Sequence, residues 1–137
     1  MAGLGNATER LVLDFLFGGA DATRPAATGA ARYVSLHSSD PGDTGANEIS
    51  DTGYARKAAT FIAATGDAPA YTENEGAIVW TNSTTYNWAT VGYFGLWDAE
   101  TTGNYLGGGQ FTGGATKLIT PNDTATFADG ALDITLD

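Results

Sequence analysis

Hydrophobic and polar positions follow two different periods along the chain. From Leu11 to Phe17 every residue except Asp14 is apolar. Asn6 stands ahead as a cap with Glu9 three residues on, and Gly18-Gly19 follows as a stop. That arrangement predicts one short N-terminal helix. A helix apolar nearly all round must be covered on several sides, so Leu11, Val12, Phe15 and Leu16 either dock on their own domain or form an assembly interface. Residues 18–31, rich in Ala, Gly, Thr and Pro, read as a connector. Beyond it the period becomes two. In Arg32–His37, Val34 and Leu36 face one way and Tyr33, Ser35 and His37 the other. Further strands are expected at 54–61, 77–80, 91–97, 104–111, 116–120, 124–127 and 132–136. In the last, Leu132, Ile134 and Leu136 alternate with Asp133, Thr135 and Asp137. Turn chemistry separates these segments, notably at Gly113-Gly114, Pro121-Asn122-Asp123 and Asp129-Gly130. Short strands at this spacing predict an all-β fold, an antiparallel β-sandwich of about seven to eight strands carrying one short N-terminal α-helix. The expected organisation is helix and connector over 1–31 and a sandwich domain over 32–137, with Trp80, Trp88, Trp97, Phe94, Phe111 and Phe127 in the core.

Composition narrows the chemistry. The 137 residues suit one domain and contain no cysteine and a single histidine, so disulfides, thiolate metal sites and multi-histidine zinc are excluded. Six basic against sixteen acidic residues give a net charge of −10, which argues against nucleic acid and anionic membranes as partners. No apolar run reaches the ~20 residues that cross a bilayer, and the N-terminus lacks the features of a secretion signal.

Four groups of residues bear on a site. His37 lies near Ser35, Ser38, Ser39 and Asp40, but sequence neighbours seldom form a catalytic triad, and the structural role is expected. Glu73 and Glu75 form a candidate carboxylate pair for glycoside hydrolysis, although a solvated turn accounts for them more simply. Asp40, Asp43, Asn47 and Glu48 supply the hard oxygens calcium selects, without the EF-hand spacing. Tyr86 or Trp88 would stack on a sugar if exposed; burial in the core is the expected state of a tryptophan. No cofactor is expected.

The stretch Tyr33–Ile49, followed by Gly53-Tyr54-Ala55-Arg56-Lys57, resembles a family of small tailed-bacteriophage virion proteins often labelled phage tail fibre protein. The opening Gly3–Leu11, the pattern Trp88–Ala99 and the ending Gly130–Leu136 fit the same family. The resemblance covers nearly the whole chain and implies a non-enzymatic structural protein of the virion, made in the bacterial host cytoplasm. Its implied partners are other copies of itself, as a homo-oligomer, and phage capsid or tail proteins. A whole β-sandwich without a fibrous repeat suits a capsid decoration or cement protein first. A tail-fibre or tail-appendage adaptor is the alternative, and a carbohydrate-binding module for host attachment the second alternative.

Overall fold

A computed structural model of the chain describes residues 12–13, 32–66 and 69–136. Its strands are β1 (Arg32–His37), β2 (Lys57–Phe61), β3 (Ala70–Glu75), β4 (Ile78–Thr81), β5 (Thr90–Val91), β6 (Tyr93–Trp97), β7 (Tyr105–Gln110), β8 (Lys117–Leu118), β9 (Thr124–Phe127) and β10 (Asp133–Leu136). The ladders of β1 with β6, β6 with β7, β2 with β3, β10 with β3 and β5 with β8 all run antiparallel. The all-β antiparallel class expected from the sequence is therefore what the structure shows, with ten strands among the described residues in place of seven or eight. Of the expected helix, Val12 and Leu13 are helical, Val12 half-buried and Leu13 buried. Leu11, Phe15 and Leu16 lie outside the described residues.

Two strands account for the difference in count. Glu73 and Glu75 do not sit in a turn. They lie on the outward face of β3, whose inward positions are Ala70, Thr72 and Asn74. Because small and polar residues fill those positions, the usual apolar alternation of a half-buried strand is absent. The expected strand 91–97 is broken at Gly92, whose N–H bonds His37 O at 3.1 Å while its own carbonyl accepts Phe111 N–H at 2.9 Å. The break lets Val91 pair with Lys117 while Tyr93 pairs with His37.

The chain forms two compact units, whose described strands come from Ala59–Ile78 and Phe127–Asp137 in one, and from Arg32–Ala58 and Val79–Thr126 in the other. In the first, β3 lies between β10 and β2. Ala59, Phe61, Ala70, Ile78 and Leu132 are buried, and Asn74 locks the turn: its Nδ2 donates to Gly76 O and Ala128 O at 2.7 and 2.8 Å, and its Oδ1 accepts Leu132 N–H at 2.8 Å. In the second, β6 lies between β1 and β7. Its core holds Val34, Leu36, Ile49, Trp80, Trp88, Val91, Leu96, Trp97 and Ile119. Each indole N–H has an acceptor: Trp80 bonds Ala55 O, Trp88 bonds Thr52 O, and Trp97 bonds Ser35 Oγ. Those bonds offset the cost of burying three polar ring edges. Phe94, Phe111 and Phe127 are only half-buried, less than the core role expected of them.

Candidate functional site

The inward-turned polar face of β1 brings a serine, a histidine and a tryptophan into one buried hydrogen-bond chain. Val34 to His37 are all buried, so β1 is covered on both faces. Alternation puts Val34 and Leu36 on one side and Ser35 and His37 on the other. Opposite them on β6 stand Gly95 and Tyr93, and Trp97, the partner of Tyr33, follows two residues on. His37 Nδ1 lies 2.7 Å from Ala46 O, a carbonyl that can only accept, so Nδ1 carries the proton. Burial holds the imidazole pKa below its usual 6.5, with Arg56 adding to that, while the Ala46 bond and Glu48 act the other way. The ring is therefore neutral at pH 7, and Nε2 accepts the Ser35 hydroxyl at 2.6 Å. Ser35 Oγ in turn accepts Trp97 Nε1–H at 2.8 Å. A directed chain runs Trp97 to Ser35 to His37 to Ala46, with every donor and acceptor used once.

A hydroxyl bonded to a neutral imidazole is the geometry of a nucleophile and its base. Here the pair is sealed. Ser35 and His37 have 0% exposure, and a Cβ added at Gly95 would stand 2.6 Å from both polar atoms. There is no space for a substrate carbonyl, so this pair is a structural bond, the role expected for His37.

Beside it, Arg56 forms a clamp. Its Nε donates to Glu48 Oε1 and Oε2 at 2.9 and 3.1 Å, and Nη2 to Oε2 at 2.7 Å. Nη1 donates to Ala99 O at 3.1 Å and Thr102 O at 2.7 Å. Its guanidinium carbon stands 3.5 Å from the Trp97 ring centroid, a cation–π stack. Tyr54 Oη donates to Glu48 Oε1 at 3.1 Å and accepts Leu36 N–H at 2.9 Å. Burial is the main cause that raises the Tyr54 pKa far above 10, so it stays a donor across the physiological range. One arginine thus fastens the loop after β1 to the turn after β6.

The loop itself, 38–48, is closed by its own bonds. Asp40 Oδ1 accepts Gly42 N–H at 2.8 Å, Asn47 Nδ2 donates to Asp40 O at 2.8 Å, and Ala46 N–H reaches Pro41 O at 2.9 Å. Gly45, with φ +73°, lies against the Trp97 and Tyr105 rings where a side chain would collide. The calcium candidates are not brought together: Glu48 is committed to Arg56, and no group of three or more metal-ligating His, Cys, Asp or Glu side chains occurs among the described residues.

The remaining candidates separate. Trp88 is buried, 3% exposed, and edge-on to Tyr54. Tyr86 is 75% exposed. Its loop is held from below by Asn82, fully buried, whose Nδ2 donates to Tyr86 O at 2.8 Å and Ile119 O at 3.2 Å and whose Oδ1 accepts Thr84 Oγ1–H at 2.6 Å. Glu73 and Glu75 lie side by side on one strand face, with Asp133 directly across from Glu73; they do not face each other over a bond-sized gap. The sequence reading missed Tyr54, Arg56, Asn74 and Asn82 as organising residues. Asn82 had a signal, since it continues the inward positions Ile78 and Trp80 by two.

Fold and site together describe an acidic, antiparallel all-β protein, and the family comparison gives its class as phage tail fibre. The chain belongs to the family described as Podophage GP4 fiber I protein gp80, whose model matches residues 3–135. It is accordingly a virion structural component. No curated protein matches the chain.

Proposed function

We propose that the chain is a non-enzymatic structural part of the podophage fibre, working as a homo-oligomer against neighbouring tail proteins. It needs no cofactor and is made in the host cytoplasm before assembly. The family match over residues 3–135 carries this reading. A non-enzymatic role is supported by the sealed Ser35–His37 pair and by the same-face placement of Glu73 and Glu75. The charge of −10 speaks against nucleic acid and membrane surfaces as partners, and among the described residues no helix is long and apolar enough to cross a membrane.

Capsid decoration is the competing placement, favoured by a β-module without a fibrous repeat. Electron microscopy of intact particles labelled with Fab fragments against this chain tests the two. Label on the fibres supports the proposal, and label spread over the capsid overturns it. Host-glycan contact is a second reading, favoured by Tyr86 exposed on a loop that Asn82 holds rigid. A glycan array on which Tyr86→Ala binds as well as the parent, or on which neither binds, removes it.

A further inference from the structure

The neutral chain Trp97–Ser35–His37–Ala46 has no place for a second imidazole proton. With Nε2 protonated, that nitrogen becomes a donor aimed at Ser35 Oγ. Ser35 would then accept from both His37 and Trp97, and its own hydrogen would have no acceptor. A buried donor without a partner is costly, and the 0% exposure of both residues leaves no water to help. The charged ring must also be solvated, and that requires an opening. β1 cannot supply it cheaply, because five residues pair with β6 from Tyr33↔Trp97 to His37↔Tyr93. On the other side of the ring stands Ala46, in a loop held by Ser38 N–H to Asn47 O and Ala46 N–H to Pro41 O and tied to β1 at its far end by the His37–Glu48 bridge and Ile49 N–H to Leu36 O.

We propose that His37 is an acid-operated latch: its protonation releases the Ser38–Glu48 loop from β1 and uncovers the Trp97 and Tyr105 rings on which Gly45 lies. The charged groups facing it are the Glu48 carboxylate, at the end of the loop, and the Arg56 guanidinium, from the segment before β2. These two neutralise each other in the clamp. Tyr54 adds a neutral phenol, and β6 contributes Tyr93, paired directly with His37, together with Gly95 and Trp97. The sign follows from burial. The folded imidazole lies below 6.5, so its stabilisation is complete above the unfolded value of about 6.5 and is lost as pH falls beneath it. Each pH unit below about 6.5 favours the opened form about tenfold, until the folded pKa is reached.

Amide hydrogen exchange on the full chain tests the latch. Between about pH 7.5 and about pH 5, protection factors of the Ser38 and Ala46 amides should fall by up to about 30-fold, while the β1–β6 ladder keeps its protection. Loop protection that is equal at both pH values overturns the proposal, and so does parallel loss in loop and ladder. In His37→Gln, neutral throughout, the pH dependence should vanish; its persistence would assign the opening to another group. If that variant does not fold, the parent profile decides, followed by ¹⁵N shifts of the single imidazole. The inference holds wherever on the particle the chain resides.

Discussion

Gly95→Ala tests the sealed network with one methyl group. Gly95 stands in β6 between Ser35 on β1 and Gly108 on β7. A Cβ there would lie 2.6 Å from His37 Nε2, 2.6 Å from Ser35 Oγ and 3.2 Å from Trp97 Nε1. None of these atoms can swing away freely, because each is bonded to the next. Overpacking a filled interior costs about 1–3 kcal/mol. Moving Ser35 also breaks its bonds to Trp97 and His37 together, each worth about 0.5–1.5 kcal/mol. The expected loss is about 2–6 kcal/mol. Gly109→Ala is the control from the adjacent strand: its Cβ meets only the edge of Phe94 at 3.4 and 3.5 Å, ordinary contact. That substitution should leave stability within about 1 kcal/mol, since the narrower unfolded ensemble offsets small losses. Urea unfolding followed by tryptophan fluorescence reads both. With a slope of about 1–3 kcal/mol per molar, Gly95→Ala should lower the midpoint by about 1 M or more. Equal midpoints for the two variants would refute the reasoning, because they would show that the face of β1 is neither filled nor bonded as described.

Arg56→Lys should cost about 1–3 kcal/mol in a thermal or urea melt, since an ammonium cannot make the fork to Glu48, reach Ala99 and Thr102, and stack on Trp97 together; unchanged stability would show the clamp to be incidental. Tyr86→Ala should stay within about 0.5 kcal/mol of the parent, whereas Asn82→Ala should cost about 2 kcal/mol or more by freeing three partners at once. The reverse order of those two midpoints would contradict the assignment of the loop. Leu11→Asp combined with Phe15→Asp should abolish assembly, read as a lower mass in light scattering, or unfold the chain, read as loss of the β circular-dichroism signal, because either role expected of these residues buries them. An unchanged mass would remove the N-terminal segment as the assembly contact.

What could be read in the sequence followed from burial by apolar side chains. β1 and β10 alternate cleanly, and both were placed to within a residue. β3 was not, because its inward positions are Ala70, Thr72 and Asn74, and the two polar ones are satisfied inside by backbone carbonyls that include Ile62 O and Ala128 O from elsewhere in the chain. Periodicity of hydrophobic residues carries no trace of such partners. The site behaved likewise. Ser35 and His37 were visible as one face of one strand, but Trp97 lies 62 residues from its Ser35 acceptor. Arg56 was visible only inside the stretch carrying the family resemblance; its grip on Thr102, 46 residues away, depends on the folded positions of two loops. Trp88 and Tyr86, two residues apart and equally plausible as sugar platforms, were separated only by the fold, which buries Trp88 against Tyr54 and leaves Tyr86 exposed.

The way charge is distributed sets a condition on how copies of such a chain can meet. Sixteen carboxylates face six bases, and among the described residues Arg56 is paired with Glu48 and Lys117 with Asp123. Surfaces rich in unpaired acid repel one another within a screening length of about 8–10 Å. A contact between identical subunits must therefore exclude them or be matched by a basic neighbour. The sequence concentrates its acids elsewhere: residues 76–97 and 103–116 contain no charged side chain. These stretches include β4, β5, β6 and β7, the exposed Val79, and Tyr86 on its fixed loop. If copies of the chain meet, the exposed uncharged residues of these stretches, Val79 and Tyr86 among them, are where charge opposes contact least. The acidic segments around Asp40–Asp51 and Glu73–Glu75 are left for solvent or for a basic partner of the particle.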